Sequence, residues 1–301
     1  EKIYRERLAL GYHLSEPVLN KIEHDLKNTI FSFIPNTAET AFYGLLKGME
    51  DYLNRIKTER ILSWGHDFDE EKLREMINRR IRIEKIAIKD VKMRTFITED
   101  VSRNEMVQHV YDITYGTVRP GEDTLVVIDD SIVRGTTLKE SIIRMLARLQ
   151  PKRIIIVSSS PQIRYPDCYG IDMSKMGDFI AFNAAVELIK ERGKTECLKE
   201  LLERCRDLQR KDQLHTENVV KQLYGQFTPE EISGKIAQLI TPAGLTIPVD
   251  VIFQRIEDLH KSCPNNLGDW YFSGDYPTPG GNKVVNKAFM NYMEGRNVRG
   301  Y

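Results

Sequence analysis

The chain has 301 residues, 41% hydrophobic and 29% charged, with Lys+Arg and Asp+Glu balanced at 44 each. That length fills one large domain, or one domain with an appendage. Zero net charge argues against a general nucleic-acid binder, and the chain carries neither an apolar run of membrane-spanning length nor a charged-then-apolar secretory opening.

In chain order, Leu8 to Leu26 reads as a helix interrupted near Pro17. Thr29 to Ile34 is a short apolar run, read as a strand, that stops at Pro35-Asn36-Thr37. A helix follows from about Glu39 to Met49, and the charge-rich residues 50–80 read as helical or irregular around Trp64-Gly65-His66. Arg82 to Ile88 is a second strand, residues 98–118 are polar and poorly periodic, and Leu125–Ile128 is a third strand. A helix then runs to about Leu149, and Ile154 to Ser158 is the last clear strand of this half. Strands alternating with helices predict a parallel sheet covered on both faces. Such sheets bind ligands beyond the carboxyl ends of their strands. Pro35-Asn36-Thr37 and Asp129-Asp130 both sit there. After Gly193 the pattern changes to long helices, with leucines at helical spacing over Cys197–Leu208. The tail from Tyr271 to Gly281 is punctuated by glycine and proline. This gives two parts, 1–192 and a helical extension with a C-terminal element over 193–301.

Four scattered cysteines, Cys168, Cys197, Cys205 and Cys263, form no Cys-x-x-Cys and point to reduced thiols in the cytoplasm. The six histidines lack paired metal-ligand spacing.

The densest chemistry lies in Thr124-Leu-Val-Val-Ile-Asp-Asp-Ser-Ile-Val-Arg-Gly-Thr-Thr137. A buried strand ends in two adjacent carboxylates, and a short loop with one glycine and three hydroxyls leads into a helix. Gly135 permits backbone geometry closed to other residues. Thr137 and Glu140 have the spacing of a capping box, which would start the helix there. Free N–H groups at a helix start, with the hydroxyls of Ser131, Thr136 and Thr137, make a phosphate cradle beside Arg134. Asp129 and Asp130 accept hydrogen bonds from sugar hydroxyls and attract Mg²⁺. The pattern reads as a site for a phosphorylated sugar held with a metal ion.

Val126–Thr137 resembles the phosphoribosyl-pyrophosphate (PRPP) motif of type I phosphoribosyltransferases. Its Ser-Ile-Val-Arg-Gly-Thr-Thr form resembles one branch, the glutamine amidophosphoribosyltransferases. Other stretches agree: Tyr4–Gly11, Ile34-Pro-Asn-Thr37, Arg94-Thr-Phe-Ile97, Ser159-Ser-Pro161, Arg164-Tyr-Pro166, Tyr169-Gly-Ile-Asp-Met173 and Phe272–Thr278. The likeness touches most of 1–192 and returns near 250–290, leaving 50–80 and 195–245 as insertion-like. It implies a type I phosphoribosyltransferase fold, a mainly parallel sheet flanked by helices. It implies a glycosyltransferase that displaces pyrophosphate from PRPP with ammonia to give phosphoribosylamine, at the start of purine synthesis. The roles it carries over give Asp129 and Asp130 the ribose hydroxyls and, with Thr37, Mg²⁺. Ser131, Gly135, Thr136 and Thr137 take the 5′-phosphate, with Arg134 a further substrate-binding candidate, and Pro35, Asn36 and Thr37 the pyrophosphate. Lys89, Lys92 and Arg94 are the catalytic-loop candidates. The expected setting is cytoplasmic and homo-oligomeric, with no nucleic acid or membrane partner.

The sequence departs from this pattern in three places. Nothing in it resembles the family's upstream glutaminase domain; ammonia would come from such a domain, and the start at Glu1 rather than Met reads as a processed product or an excised domain. Where the family has Lys-Asn-Arg-Tyr-Val-Gly, the chain reads Ile88-Lys-Asp-Val-Lys-Met93, with Val91 at the tyrosine position. That change favours an alternative, a PRPP-binding regulatory paralogue with weak or no turnover. A nucleobase phosphoribosyltransferase shares the loop, but the matches at Arg94–Ile97 and Tyr169–Asp172 argue against it. Asn265 and Gly268 replace the cysteines that hold an iron–sulfur cluster in some members, so no cluster is expected.

Overall fold

The computed structural model describes residues 2–35, 37–65, 69–89, 111–170, 173–296 and 298–300. The chain divides into two compact bodies. The first comprises residues 1–130, 140–159 and 244–254, and the second 131–139, 160–243 and 255–301.

The first body is built on a five-stranded sheet. Its strands are β1 (Thr29–Phe33), β2 (Arg82–Ile83), β5 (Thr124–Asp129), β6 (Arg153–Ser158) and β7 (Val249–Phe253), in the order β2-β1-β5-β6-β7. Every pairing is parallel, with Phe33 opposite Ile128 and Asp129 opposite Ser158. The expected parallel sheet is therefore present. The reading of 193–301 as helical is corrected at one point: Val249–Phe253 joins the sheet as an edge strand beside β6. Its sequence, Val-Asp-Val-Ile-Phe, alternates too briefly to stand out between Pro248 and the polar stretch after it. A separate antiparallel pair, β3 (Ala87–Lys89) and β4 (Tyr111–Ile113), divides the single strand expected over 82–88.

The helices α1 (Lys2–His13), α2 (Ser15–Lys21), α3 (Glu39–Ser63) and α4 (Glu70–Asn78) accompany the sheet. The chain breaks at Leu14, not near Pro17, which sits in the first turn of α2, where a missing N–H costs nothing. The charged residues 50–80 are mostly helical: α3 continues to Ser63, and Asp69 caps α4 by accepting from the N–H groups of Glu71 and Lys72. Strand side chains alternate between faces. One face presents Phe31, Val126, Ile128, Ile155 and Val157 to Leu14, Val18, Phe42, Leu45 and Met49 of the helical layer, all buried. α1 and α3 cross closely. A Cβ on Gly11 would lie 1.7 Å from the carbonyl oxygen of Ala41, and one on Gly44 would lie 1.9 Å from that of Leu8.

At the amino end of the sheet Asp123 is fully buried and held by two guanidiniums. Arg82 donates to it at 2.5 and 2.9 Å, and Arg119 at 2.6 Å and through its backbone N–H at 2.8 Å. Burial alone would push this carboxyl up, but the bonds from Arg82 and Arg119 hold it well below the usual carboxylate range. The network ties β2 and β5 together where both begin.

The second body is helical: α6 (Ile180–Glu191), α7 (Glu196–Arg210), α8 (Lys221–Tyr224), α9 (Pro229–Ile240), α10 (Ile256–Ser262), α11 (Trp270–Ser273) and α12 (Pro279–Met293). The label α5 is kept for Ile143–Ala147, the α-helical end of the helix that leaves β5. The leucine stripe of α7, Leu198, Leu201, Leu202 and Leu208, is buried. The Phe182 ring meets those of Phe289 and Tyr292 edge-on. Among the described residues, no helix is long and apolar enough to cross a membrane.

Candidate active site

The strand order places a reversal of connectivity between β1 and β5. From β1 the chain crosses to β2 on one side, then returns to form β5 on the other. In parallel sheets, ligands bind beyond the carboxyl ends of the strands at such a point. The residues there are Ile34 and Pro35 after β1, and Asp129 and Asp130 at the end of β5. The Ile34 N–H donates to the Ile128 carbonyl at 2.9 Å, which locks the two strand ends side by side. The structure thus brings Pro35 and the Asp pair to one edge. Thr37, exposed, follows on the same connection into α3.

Asp129 and Asp130 are both half-buried. The Asp130 N–H donates to Asp129 Oδ1 at 2.8 Å. Burial and the neighbouring Asp130 carboxylate push the Asp129 carboxyl up, despite that bond. Two adjacent carboxylates offer hard oxygen donors of the kind that Mg²⁺ takes, and among the described residues no third His, Cys, Asp or Glu joins them. Ser159, which sequence reasoning did not select, belongs beside them. Its N–H donates to the Asp129 carbonyl at 2.9 Å and its hydroxyl to the Asp130 carbonyl at 3.2 Å. The signal that finds it is register: β6 lies next to β5, so Ser158-Ser159 falls beside Asp129-Asp130.

Residues 131–137 follow directly in the chain, and their geometry is set within the second body. Gly135 has φ +72°, so the expected backbone freedom is used. The Ile180 N–H donates to the Val133 carbonyl at 2.8 Å. A Cβ on Gly135 would lie 2.9 Å from Ile240 Cγ2 and 3.4 Å from Ile180 Cγ1. Arg134 is exposed and pairs with Asp178 at 3.2 Å. Ser131 is half-buried, while Thr136 and Thr137 are exposed. The capping-box reading is corrected: the helix already includes Thr136 and Thr137, and Lys139 N–H donates to the Gly135 carbonyl at 3.0 Å. Glu140 turns toward Arg144 at 3.6 Å. The helix opens with a π-turn over Leu138–Ile142 before α5, an irregularity that favours functional sites.

Lys89 ends β3, the last described residue before the expected catalytic loop. Asn36, Lys92 and Arg94 lie outside the described residues.

No protein-family model matches the chain. It is 32% identical over 187 residues to the amidophosphoribosyltransferase of Pseudomonas aeruginosa, which covers 62% of this chain and 30% of that protein. It is 27% identical over 237 residues to that of Lachancea kluyveri, covering 77% of this chain and 38% of the relative. The chain is similar in sequence to amidophosphoribosyltransferases over part of their length. It spans well under half of the length of these relatives. Its fold is similar to that of part of the solved glutamine PRPP amidotransferase from B. subtilis, with TM-score 0.50 and 21% identity over 92% of this chain and 42% of that one. The expected type I phosphoribosyltransferase fold is therefore present.

Proposed function

We propose that this chain is the phosphoribosyl-transfer part of an amidophosphoribosyltransferase, a glycosyltransferase that exchanges the pyrophosphate of PRPP for ammonia in purine biosynthesis. The observation that carries the reading is the Asp129-Asp130 pair at the sheet's switch point, running directly into a loop whose Gly135 has positive φ.

In this reading Asp129 and Asp130 accept from the ribose hydroxyls and fix the sugar. The backbone N–H groups and hydroxyls of Ser131, Gly135, Thr136 and Thr137 hold the 5′-phosphate, with Arg134 at the rim. Pro35, Asn36 and Thr37 bind the pyrophosphate that leaves. Asp129, Asp130 and Thr37 would hold Mg²⁺, which when bound neutralises charge on the pyrophosphate oxygens. Lys89, Lys92 and Arg94 supply further cations toward that group. Ammonia forms the new C–N bond at the anomeric carbon as the C–O bond to pyrophosphate breaks, and the amine then loses a proton. The protein's share is positioning and fixed charge, with water excluded. An upstream glutaminase domain supplies the ammonia, and the protein works as a cytoplasmic homo-oligomer.

The test is Mg²⁺-dependent pyrophosphate release from PRPP with and without ammonium. Ammonium-dependent release is expected. PRPP binding without such release would overturn the transferase reading in favour of a PRPP-binding regulatory protein.

A further inference from the structure

Within the first body, at the amino-terminal ends of β1 and β2, lies a cavity of about 680 Å³. It sits at the end of the sheet away from Asp129 and Asp130. Its volume falls in the range of about 300–1,000 Å³ typical of small-molecule sites. The second half of α3, the last residues of α4 and the turn before β1 enclose it, so the charged stretch 50–80 builds most of its wall.

The floor is apolar, made by Leu26, Leu53 and Ile56, with the Tyr52 ring beside them. The His24 ring lies 5.2 Å from that of Tyr52, tilted by 32°, so the wall presents two aromatic rings. The rim is cationic. Among the described residues, no carboxylate lies within ion-pair distance of Lys27, Arg60 or Arg80. Arg80 spends its donors on the carbonyls of Ile77 and Arg79, which leave its charge intact. Two acids of the lining are already paired, Glu75 with Arg79 at 3.4 Å and Glu59 with Arg55 at 3.9 Å, while Asp25 accepts from the neutral backbone and side chain of Asn28 and keeps its charge, one acid against three cations. Nearby, burial first and the Arg80 guanidinium second push the Lys57 ammonium down.

We propose that this cavity binds a small aromatic anion, a flat ring bearing one phosphate, sulfonate or carboxylate group. A bare anion leaves the apolar floor wet, and a neutral ring leaves that excess of cations uncompensated. Both halves of the lining are used only by a ligand with both chemistries.

The test uses anilinonaphthalene sulfonate as the probe, titrated by fluorescence into the native protein. Inorganic sulfate and neutral N-phenylnaphthylamine serve as the single-chemistry arms. One saturable site is expected, with Arg60→Glu plus Arg80→Glu weakening it on the order of tenfold or more. Both side chains are exposed, and unchanged thermal unfolding confirms an intact fold. Glu59→Gln should tighten the probe, a gain that misfolding does not produce. Equal affinity for the neutral amine, full competition by millimolar sulfate, or insensitivity to the Arg variants would each overturn the proposal. Mg²⁺ with PRPP should leave the probe in place, and displacement would assign the dye to the other end of the sheet.

Discussion

Gly135→Ala isolates the geometry of the proposed phosphate loop. Two costs add. Alanine at φ +72° pays the left-handed penalty of about 1–2 kcal/mol. Its Cβ, 2.9 Å from Ile240 Cγ2 and 3.4 Å from Ile180 Cγ1, adds overpacking of about 1–3 kcal/mol. At least roughly 2 kcal/mol must appear somewhere. If the fold holds the loop in shape, the loss shows as stability. If the loop relaxes, it shows as PRPP affinity, roughly 30-fold in Kd. Calorimetric titration with PRPP and Mg²⁺, paired with thermal unfolding, separates the two. Ile240→Ala removes the offending methyl, at a cavity cost of its own, but leaves φ untouched, so in the Ile240→Ala background the added cost of Gly135→Ala should shrink by the steric share alone. Unchanged affinity and unchanged Tm in Gly135→Ala would refute the reasoning.

Asp129→Asn with Asp130→Asn should abolish PRPP binding in the same titration; normal binding would show the site to be misassigned. Asp129→Asn alone should raise the Tm of the ligand-free protein, because the folded state holds that carboxyl above its ordinary range. The ionised form is the destabilising one, so the gain is absent below pH about 4 and grows toward neutral pH; a Tm difference independent of pH would contradict this. Asp123 carries the opposite sign. Its folded value is depressed, so its stability is complete above about 3.9 and is lost as pH falls below that. Asp123→Asn should cost about 3 kcal/mol in urea unfolding at neutral pH, by leaving Arg82 without its partner, and much less in strong acid. Gly44→Ala should destabilise by about 1–3 kcal/mol, although helix propensity alone favours alanine by about 1 kcal/mol. The obstacle is a backbone carbonyl at 1.9 Å, which cannot rotate away, so α1 and α3 must part. A raised Tm would contradict the close crossing.

The sheet was legible because its central strands are nearly continuous apolar runs, and Leu125–Ile128 and Ile154–Val157 are buried on both faces. The Asp pair was legible because strand-end carboxylates before a glycine turn have a local pattern. What the sequence hid depends on residues distant in the chain. β7 comes almost a hundred residues after β6. The bracing of Gly135 by Ile180 and Ile240 leaves no mark in its neighbours. The helix start was misread for a different reason. Thr137 and Glu140 have capping-box spacing, but the Gly135 carbonyl begins the helical bonding before either can act. The place of Ser159 beside the Asp pair was visible only once β6 was known to lie beside β5.

The late strand has a consequence for synthesis. Until residue 253 has been made, β6 ends the sheet as an open edge, with the backbone of Ile154–Ser158 lacking its outer partner and Arg153 lacking Asp250. Such a flat, apolar edge is a template for pairing with another chain. A nascent chain therefore passes through a stage in which its own growth sets the time available for aggregation. A product cut at 192 would remain at that stage permanently, so it is expected to be less soluble than one that runs through Gln254.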